Sequence, residues 1–342
     1  MANLVRAHRE LFRRSADERF VSIDALVQQC RQERRASVDR WHLPQLLQAK
    51  PAGDGLCLTA GPDGDFALND WSFTQLCRLS GVSKDTVNRV SPETASRVLL
   101  ETMPTGQKPM QVMTTAGMVR SIHGVSYSRL WNADLLDVIQ QRATDFQPPP
   151  VGFNGATGLY YGEQDMFCFL IDPAGWIDID GEEFAPGFFV WNSEVGRRSL
   201  GISTFWFQKV CRNHIVWDAV DVEEFSRKHT GNIQESLVRI EQAIDSLVRK
   251  REARKDGFAE TIRKAIGSRI GADADEAQKF LFKQGIPREA VQKAVTKLQV
   301  EGKPFTIWTL VDALTQLNCT LRFAGDRMDA DQKVAQLLAL AV

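Results

Sequence analysis

Two apolar runs decide the fold class: Met166-Phe-Cys-Phe-Leu-Ile171 and Gly187-Phe-Phe-Val-Trp191. Both are rich in aromatic and branched side chains and are short enough for strands, so they predict buried β-strands. Leu159–Gly162 and His214–Trp217 predict two further strands. Ser199–Arg212, which precedes the last of these, is predicted to be a helix.

A β-hairpin is predicted before these strands. Met110-Gln-Val-Met-Thr and Met118-Val-Arg-Ser-Ile are joined by Thr115-Ala116-Gly117, and the glycine suits the tight turn that such a hairpin needs. The middle of the chain is therefore expected to form an antiparallel β-rich core.

Helical patterns flank this core. Ser22–Arg35 carries its apolar residues at helical spacing, and Asp70–Leu100 is predicted to be helical with breaks at Gly81 and at Ser91-Pro92. Lys50–Gly64, between them, is rich in Gly and Pro and is predicted to be a turn region.

The chain after Gly231 is predicted to be helical. Gly302-Lys303-Pro304 separates a charged helix, Ala290–Val300, from Ile307–Leu317, and Val334–Leu340 is predicted to close the chain as a helix. An apolar 4-3-4-3 spacing also covers about three heptads, which is short for a coiled coil, so it is expected to pack within the fold or a small oligomer. That spacing is formed by Ile233, Leu237, Ile240, Ile244, Leu247 and Arg251.

The sequence therefore predicts an α+β protein with three regions. These are a helical N-terminal region over 1–104, a β-rich α+β core over 105–230 and a helical C-terminal region over 231–342. A chain of 342 residues exceeds the roughly 250–300 residues at which single cores stop growing, which favours one large domain with a helical appendage, or two domains.

Composition excludes several classes of protein. With 43% hydrophobic and 25% charged residues, the chain is typical of a globular protein. It has neither a secretory signal nor an apolar run of about 18 residues, so we expect a cytoplasmic protein without a membrane partner. Six dispersed cysteines without a CxxC pair and five histidines without an HxH or HxxxH pair indicate free thiols and no zinc site. No cofactor is expected, because there is no phosphate-binding glycine motif.

The net charge of −1 conceals an asymmetry along the chain. Residues 1–50 hold ten Lys/Arg and six Asp/Glu, whereas residues 163–194 hold eight acids and no base. Phosphate binding requires cations, so a nucleic-acid surface would be built from the flanks of the acidic segment. The acidic segment is either a solvated face or a metal-binding one.

Gln75–Val90 imitates a DNA-binding helix-turn-helix. Gly81 suits the tight turn, Ser83 can cap the second helix, and a packed αα-corner would give the same pattern. In the DNA-binding reading, four polar residues would face the major groove. They are Lys84, Thr86, Asn88 and Arg89.

A second nucleic-acid candidate lies between Arg120 and Asn132, where cations alternate with aromatic residues, although these aromatics could equally be core anchors. Basic residues after the acidic segment extend it. The predicted nucleic-acid-binding residues are Arg120, Tyr127, Arg129, Arg197, Arg198, Lys209 and Arg212.

Catalysis is left open, and no catalytic residue or metal ligand is assigned. The carboxylates of the acidic segment could hold Mg²⁺ in a hydrolase or nuclease, but no catalytic lysine accompanies them at a recognisable spacing. Cys211 and His214 could form a nucleophile–base pair, although such neighbours are usually incidental. Glu194 is expected in a half-buried corner, paired with an arginine or a helix N-terminus, and Glu194→Gln is expected to lower stability.

Several short motifs carry a family resemblance. They are Gly187-Phe-Phe-Val-Trp-Asn-Ser193-Glu194-Val-Gly196 with Arg197-Arg198, Cys211-Arg212-Asn213-His214 and Asp165-Met-Phe-Cys-Phe-Leu, with Gln75-Leu76-Cys77, Arg120, Tyr127 and Ile307-Trp308-Thr309. With these the chain resembles the phage/plasmid-like proteins of domain-of-unknown-function family 932. The family commonly has the motif Cys-x-Asn-Gly where this chain has Cys211-Arg-Asn-His214, so His214 takes the place of the glycine.

The resemblance implies a mobile genetic element, without an assigned activity. Together with the basic segments it predicts a DNA-binding protein of recombination or replication, with single-stranded DNA among the candidate ligands and a homo-oligomer as a candidate assembly. The alternatives are a metal-dependent hydrolase or nuclease that uses residues 163–194, and a non-catalytic interaction protein.

Overall fold

The computed structural model describes residues 10–152, 157–209, 214–217, 225–249 and 251–341. Within these ranges the chain forms two β-sheets and eleven α-helices, so the α+β prediction is confirmed. None of the described helices is both long and apolar enough to cross a membrane.

The larger sheet has eight strands. Its path runs β1-β8-β9-β11-β12-β13, with β10 paired to β11 and β14 paired to β12, and its pairings are antiparallel. Its strands are β1 (Glu18–Arg19), β8 (Leu159–Tyr161), β9 (Met166–Ile171), β10 (Ile177–Ile179), β11 (Glu182–Asn192), β12 (Leu200–Gln208), β13 (His214–Trp217) and β14 (Phe225–Arg227).

The central strands of the larger sheet are buried on both faces. Phe188 and Val190 of β11 pack under helices on one face, while Phe189 and Trp191 pack on the other. Because both faces are covered, these strands are continuous apolar runs. The predicted strands over 159–217 are thus confirmed, but the helix predicted over Ser199–Arg212 is wrong, since Leu200–Gln208 is β12.

The smaller sheet has six strands in the order β2-β6-β7-β5-β4-β3, and only β5 and β7 pair in parallel. Its strands are β2 (Ser37–His42), β3 (Leu47–Ala52), β4 (Gly55–Ala60), β5 (Asp65–Leu68), β6 (Met110–Thr115) and β7 (Met118–His123). The predicted hairpin is confirmed as β6–β7, and its turn has positive φ at Ala116 (48°) and Gly117 (82°), as a type I′ turn requires.

The smaller sheet also revises the helical description of the first 104 residues. Four of its strands lie between Ser37 and Leu68, and two of them, β3 and β4, overlap the Lys50–Gly64 segment that was predicted to be a turn region. Leu56 and Leu58 of β4 are buried at alternate positions, but the Gly and Pro residues around them obscure this pattern. Pro51 is tolerated because β3 is an edge strand.

Helices cover both sheets. They are α1 (Ile23–Ala36), α2 (Asp70–Leu79), α3 (Lys84–Val87), α4 (Pro92–Thr102), α5 (Asn132–Arg142), α6 (Gln234–Arg249), α7 (Arg251–Gly267), α8 (Ala274–Lys283), α9 (Arg288–Glu301), α10 (Ile307–Asn318) and α11 (Ala324–Ala335). The heptad-like face of α6 packs within the fold, because Ile240 and Ile244 are fully buried against the larger sheet.

Candidate nucleic-acid interface

Two predicted contact residues bind the turn between β11 and β12, which we call the 193–198 turn. The Tyr127 hydroxyl donates a hydrogen bond of 2.7 Å to the Glu194 carbonyl, and Arg129 donates to the same oxygen. Arg129 also forms two hydrogen bonds with Asp39, at 3.0 and 2.7 Å. These side chains hold the turn in place with their polar atoms engaged inside the protein.

Arg120 is buried beside this turn. Its side chain donates to Glu33 at 2.8 Å and to the Tyr161 hydroxyl at 3.5 Å, and the residue is 6% exposed. A guanidinium that is neutralised by a carboxylate and shielded from solvent has little capacity to attract a phosphate. The surroundings of Arg120 therefore indicate a role in holding the fold together and not in contacting a phosphate.

Two histidines pack around Tyr127. The His123 and Tyr127 rings stack with centroids 3.6 Å apart, and His229 lies 5.6 Å from Tyr127 on a nearly parallel plane. His123 Nε2 lies 2.9 Å from the Val195 carbonyl and donates to it. Burial, with help from the Arg129 charge, lowers the pKa of His123 to about 3, and burial lowers that of His229 to about 4. Both rings are therefore neutral near pH 7.

The other predicted contact residues are dispersed. The exposed Arg197 lies over the Trp71 ring at 5.6 Å, whereas Arg198 pairs with Asp165 at 3.2 Å and with Asp329 at 2.9 and 3.0 Å. Lys209 follows the far end of β12, roughly 30 Å along the strand from the 193–198 turn. It pairs there with Glu183 at 2.6 Å. Arg212 lies outside the described residues.

The acidic segment is spread over the fold. Asp165 lies between Arg14 at 2.9 Å and Arg198 at 3.2 Å, and Asp178 accepts from the Gly181 amide at 3.1 Å. In the parts of the chain that the structure describes, no three His, Cys, Asp or Glu residues are grouped so that they could hold a metal ion. Cys211, half of the considered nucleophile pair, is outside those parts.

The pattern at Gln75–Val90 folds as a helical corner. Gly81 has φ +67° and the Ser83 side chain accepts from the Thr86 amide, so the predicted turn and cap are confirmed. The second helix, α3, has only four residues, and Asn88 just after it is 7% exposed. One helical turn is too short to present the side chains that a recognition helix inserts into the major groove.

A longer pair of helices joined by a short turn is formed by α8 and α9. The four residues Gln284–Pro287 join the two helices, with φ +74° at Gly285, and a helix-turn-helix motif has a turn of this length. Leu281, Ile286 and Val291 are buried at the junction. They pack in one core with α10, so a third helix supports the pair.

The junction between α8 and α9 is basic. Residues 277–288 contain three exposed bases, Lys279, Lys283 and Arg288, and no acid, whereas the two helices together hold five bases and four acids. Glu289 of α9 pairs with Lys293 at 2.6 Å. Arg288, the first residue of α9, lies 5.7 Å over the ring of Phe282. Exposed side chains that can donate hydrogen bonds continue along α9, and we call the whole set the α8–α9 face. Its members are Lys279, Lys283, Arg288, Gln292, Lys293, Thr296 and Gln299.

The sequence also carried a signal for the α8–α9 pair, which the prediction overlooked. Gly285-Ile-Pro287 lies between two amphipathic stretches, and residues 277–288 contain three bases and no acid. The segment at Gln75–Val90 drew attention because its Gly-Val-Ser turn is closer to the DNA-binding pattern. The two segments differ in the length of the second helix, which is four residues in α3 and fourteen in α9, and residue patterns locate helix ends poorly.

Comparison with protein-family models, curated proteins and solved structures finds no match to this chain. The resemblance to domain-of-unknown-function family 932 therefore stays a prediction.

Proposed function

We propose that this protein binds DNA through the α8–α9 face, as an accessory protein in recombination or replication. The observation that carries the proposal is a pair of helices joined by a short turn, with three exposed bases at the junction and exposed amide side chains along the fourteen-residue second helix, α9. The mobile-element setting comes from the family resemblance alone.

The chemistry of the face suits a DNA duplex. Lys279, Lys283 and Arg288 have exposed side chains at the end of α8 and the start of α9, where a helix-turn-helix approaches the phosphates. Gln292 and Thr296 follow on the same side of α9, and amide and hydroxyl groups can hydrogen-bond base edges. Single-strand binding has less support, because the half-buried Tyr127 ring is already stacked on His123.

A charge-matched comparison tests the proposal. The triple variant Lys279→Gln, Lys283→Gln, Arg288→Gln removes three cations from the α8–α9 face. A control triple, Lys50→Gln, Arg97→Gln, Lys108→Gln, removes three exposed cations from the side of the smaller sheet. Fluorescence anisotropy against a random-sequence duplex and a single strand, at several salt concentrations, gives the affinity and its salt dependence.

The two triples should differ clearly. Each lost phosphate contact lowers the slope of log K against log salt by about 0.9, so the face variant should lose up to about three units of slope and most of its duplex affinity. The control should bind like the parent. Equal loss in both triples would show an effect of net charge only, and salt-independent or undetectable binding by the parent would end the proposal.

A further inference from the structure

A cavity of about 360 Å³ is separate from the α8–α9 face, since none of its lining residues belongs to α8 or α9. It is enclosed by β1, by the β8–β9 edge of the larger sheet and by the corner between α10 and α11. Cavities of this size hold small molecules, and they are too small for a nucleic-acid duplex.

The walls of the cavity are largely apolar. Tyr160 and Phe169 contribute two rings that meet edge to face, with centroids 6.4 Å apart, and Met328 of α11 is buried beside them. Leu321, which is 41% exposed, contributes to the α10–α11 corner of the lining. Such a lining favours a ligand with an aromatic or alkyl body.

The charged residues of the lining are three arginines, Arg19, Arg322 and Arg327, and two aspartates, Asp17 and Asp331. Both aspartates are already engaged in contacts within the protein. Asp17 accepts from Arg14 and from the Ala324 amide, each at 3.0 Å. Asp331 accepts from Asn318 at 2.8 Å and lies 3.9 Å from Arg327. The lining therefore carries one excess positive charge.

We propose that this cavity binds a small organic monoanion, a carboxylate attached to an aromatic or alkyl body. Arg322 is exposed and pairs with no carboxylate among the described residues, so its guanidinium is available to the anionic group. The body would lie against Tyr160 and Phe169. A guanidinium forms strong, charge-assisted hydrogen bonds with a carboxylate, which makes the charge of the ligand the main selectivity filter.

Calorimetric titration with 3-phenylpropionate tests the proposal on the full chain. Its neutral isostere, 3-phenylpropanamide, shows how much of the affinity depends on the negative charge. Acetate, which lacks the aromatic ring, shows how much depends on the apolar body. We expect 3-phenylpropionate to bind at least about tenfold more tightly than either control, because each control lacks one half of the recognition. Inorganic phosphate should bind as weakly as acetate.

Substitutions of lining residues test whether 3-phenylpropionate binds in this cavity. Arg322→Gln should weaken 3-phenylpropionate about tenfold, because it removes the charge that meets the carboxylate. Leu321→Glu should weaken it further by repulsion, while Leu321→Gln provides the matched neutral change at the same partly exposed position. Arg288→Gln, on the α8–α9 face, should leave 3-phenylpropionate binding unchanged, which separates this site from DNA binding.

Three outcomes would overturn the inference. They are the absence of 3-phenylpropionate binding at millimolar concentrations, equal binding of the acid and its amide, and binding that is unchanged in both Arg322→Gln and Leu321→Glu. Arg322→Gln and Leu321→Glu alter exposed or partly exposed side chains, so both variants should keep the parent fold. Circular dichroism checks this.

Discussion

Glu194 Oε1 accepts a hydrogen bond of 2.7 Å from the backbone amide of Asn132, the first residue of α5. Glu194 is 4% exposed, so this buried carboxylate is held at a helix N-terminus, where the helix dipole favours negative charge. The prediction that a helix N-terminus or an arginine would serve as its partner is confirmed. The same burial makes the charge of Glu194 costly.

The first prediction concerns Glu194→Gln. Burial raises the pKa of Glu194 from 4.5 to about 7, against the opposing effects of the Asn132 amide and of Arg120. A carboxyl group with a raised pKa in the folded state stabilises most below its unfolded pKa, and this contribution is lost as pH rises from about 4.5 to 7. The difference in free energy of unfolding between the variant and the parent should therefore shift in favour of the variant by about 2 kcal/mol from pH 5 to pH 8. Urea unfolding at the two pH values measures this shift.

The sequence predicted that Glu194→Gln would lower stability. Above neutral pH we now expect the opposite effect. The amide keeps an oxygen for the Asn132 hydrogen bond and avoids burying a charge. A variant that is destabilised equally at pH 5 and pH 8 would show that the carboxylate is ionised and well paired throughout.

The second prediction concerns acid sensitivity. Because the pKa values of His123 and His229 are lowered to about 3 and 4, the folded state resists protonation that the unfolded chain accepts below about pH 6.5. Stability should fall as pH drops below that value, by about 2 kcal/mol per histidine at pH 5. His123→Phe, which keeps an aromatic ring against Tyr127, should show a shallower fall. An unchanged pH profile in this variant would remove His123 as a cause.

The third prediction concerns two glycines with nearly the same φ angle. Gly196 has φ +69°, and a Cβ there would approach His123 and Tyr127 to 2.6 and 2.8 Å. Gly231 has φ +68°, and a Cβ there would meet nothing within 4 Å. Gly196→Ala should cost about 3 kcal/mol, from backbone strain and overpacking, whereas Gly231→Ala should cost about 1 kcal/mol from strain alone. Equal losses in thermal or urea unfolding would show that contact with the rings is unimportant.

Local patterns predicted those elements whose signals are local. The β6–β7 hairpin followed from its turn residues, and the boundary between α9 and α10 followed from Gly302 and Pro304, with Gly302 ending α9 in the left-handed conformation. The strand β12 was missed because Gly201, Ser203 and Thr204 interrupt its apolar run, so it lacks the continuous apolar stretch that predicted β9 and β11.

The environment of the predicted site could not be read from the sequence for a different reason. Arg120 is separated from Glu33 by 87 residues and Arg129 from Asp39 by 90, and only the fold brings each pair together. Cations near aromatic residues predict a nucleic-acid surface and a buried polar cluster equally well. Burial distinguishes them, and burial is a property of the tertiary structure.

Arg120 supplies the last prediction, which separates a structural role from nucleic-acid contact. Its pair with Glu33 is buried on the arginine side, with 8% of the Arg120 side chain and 20% of the Glu33 side chain exposed. Loss of one partner from a buried pair costs about 3–5 kcal/mol, because the other charge stays uncompensated. Arg120→Met should therefore be strongly destabilised in urea unfolding, and Glu33→Gln added to it should recover part of the loss. At a temperature where Arg120→Met remains folded, its duplex affinity should equal that of the parent. Loss of DNA affinity with stability retained would instead return Arg120 to the nucleic-acid surface that the sequence predicted.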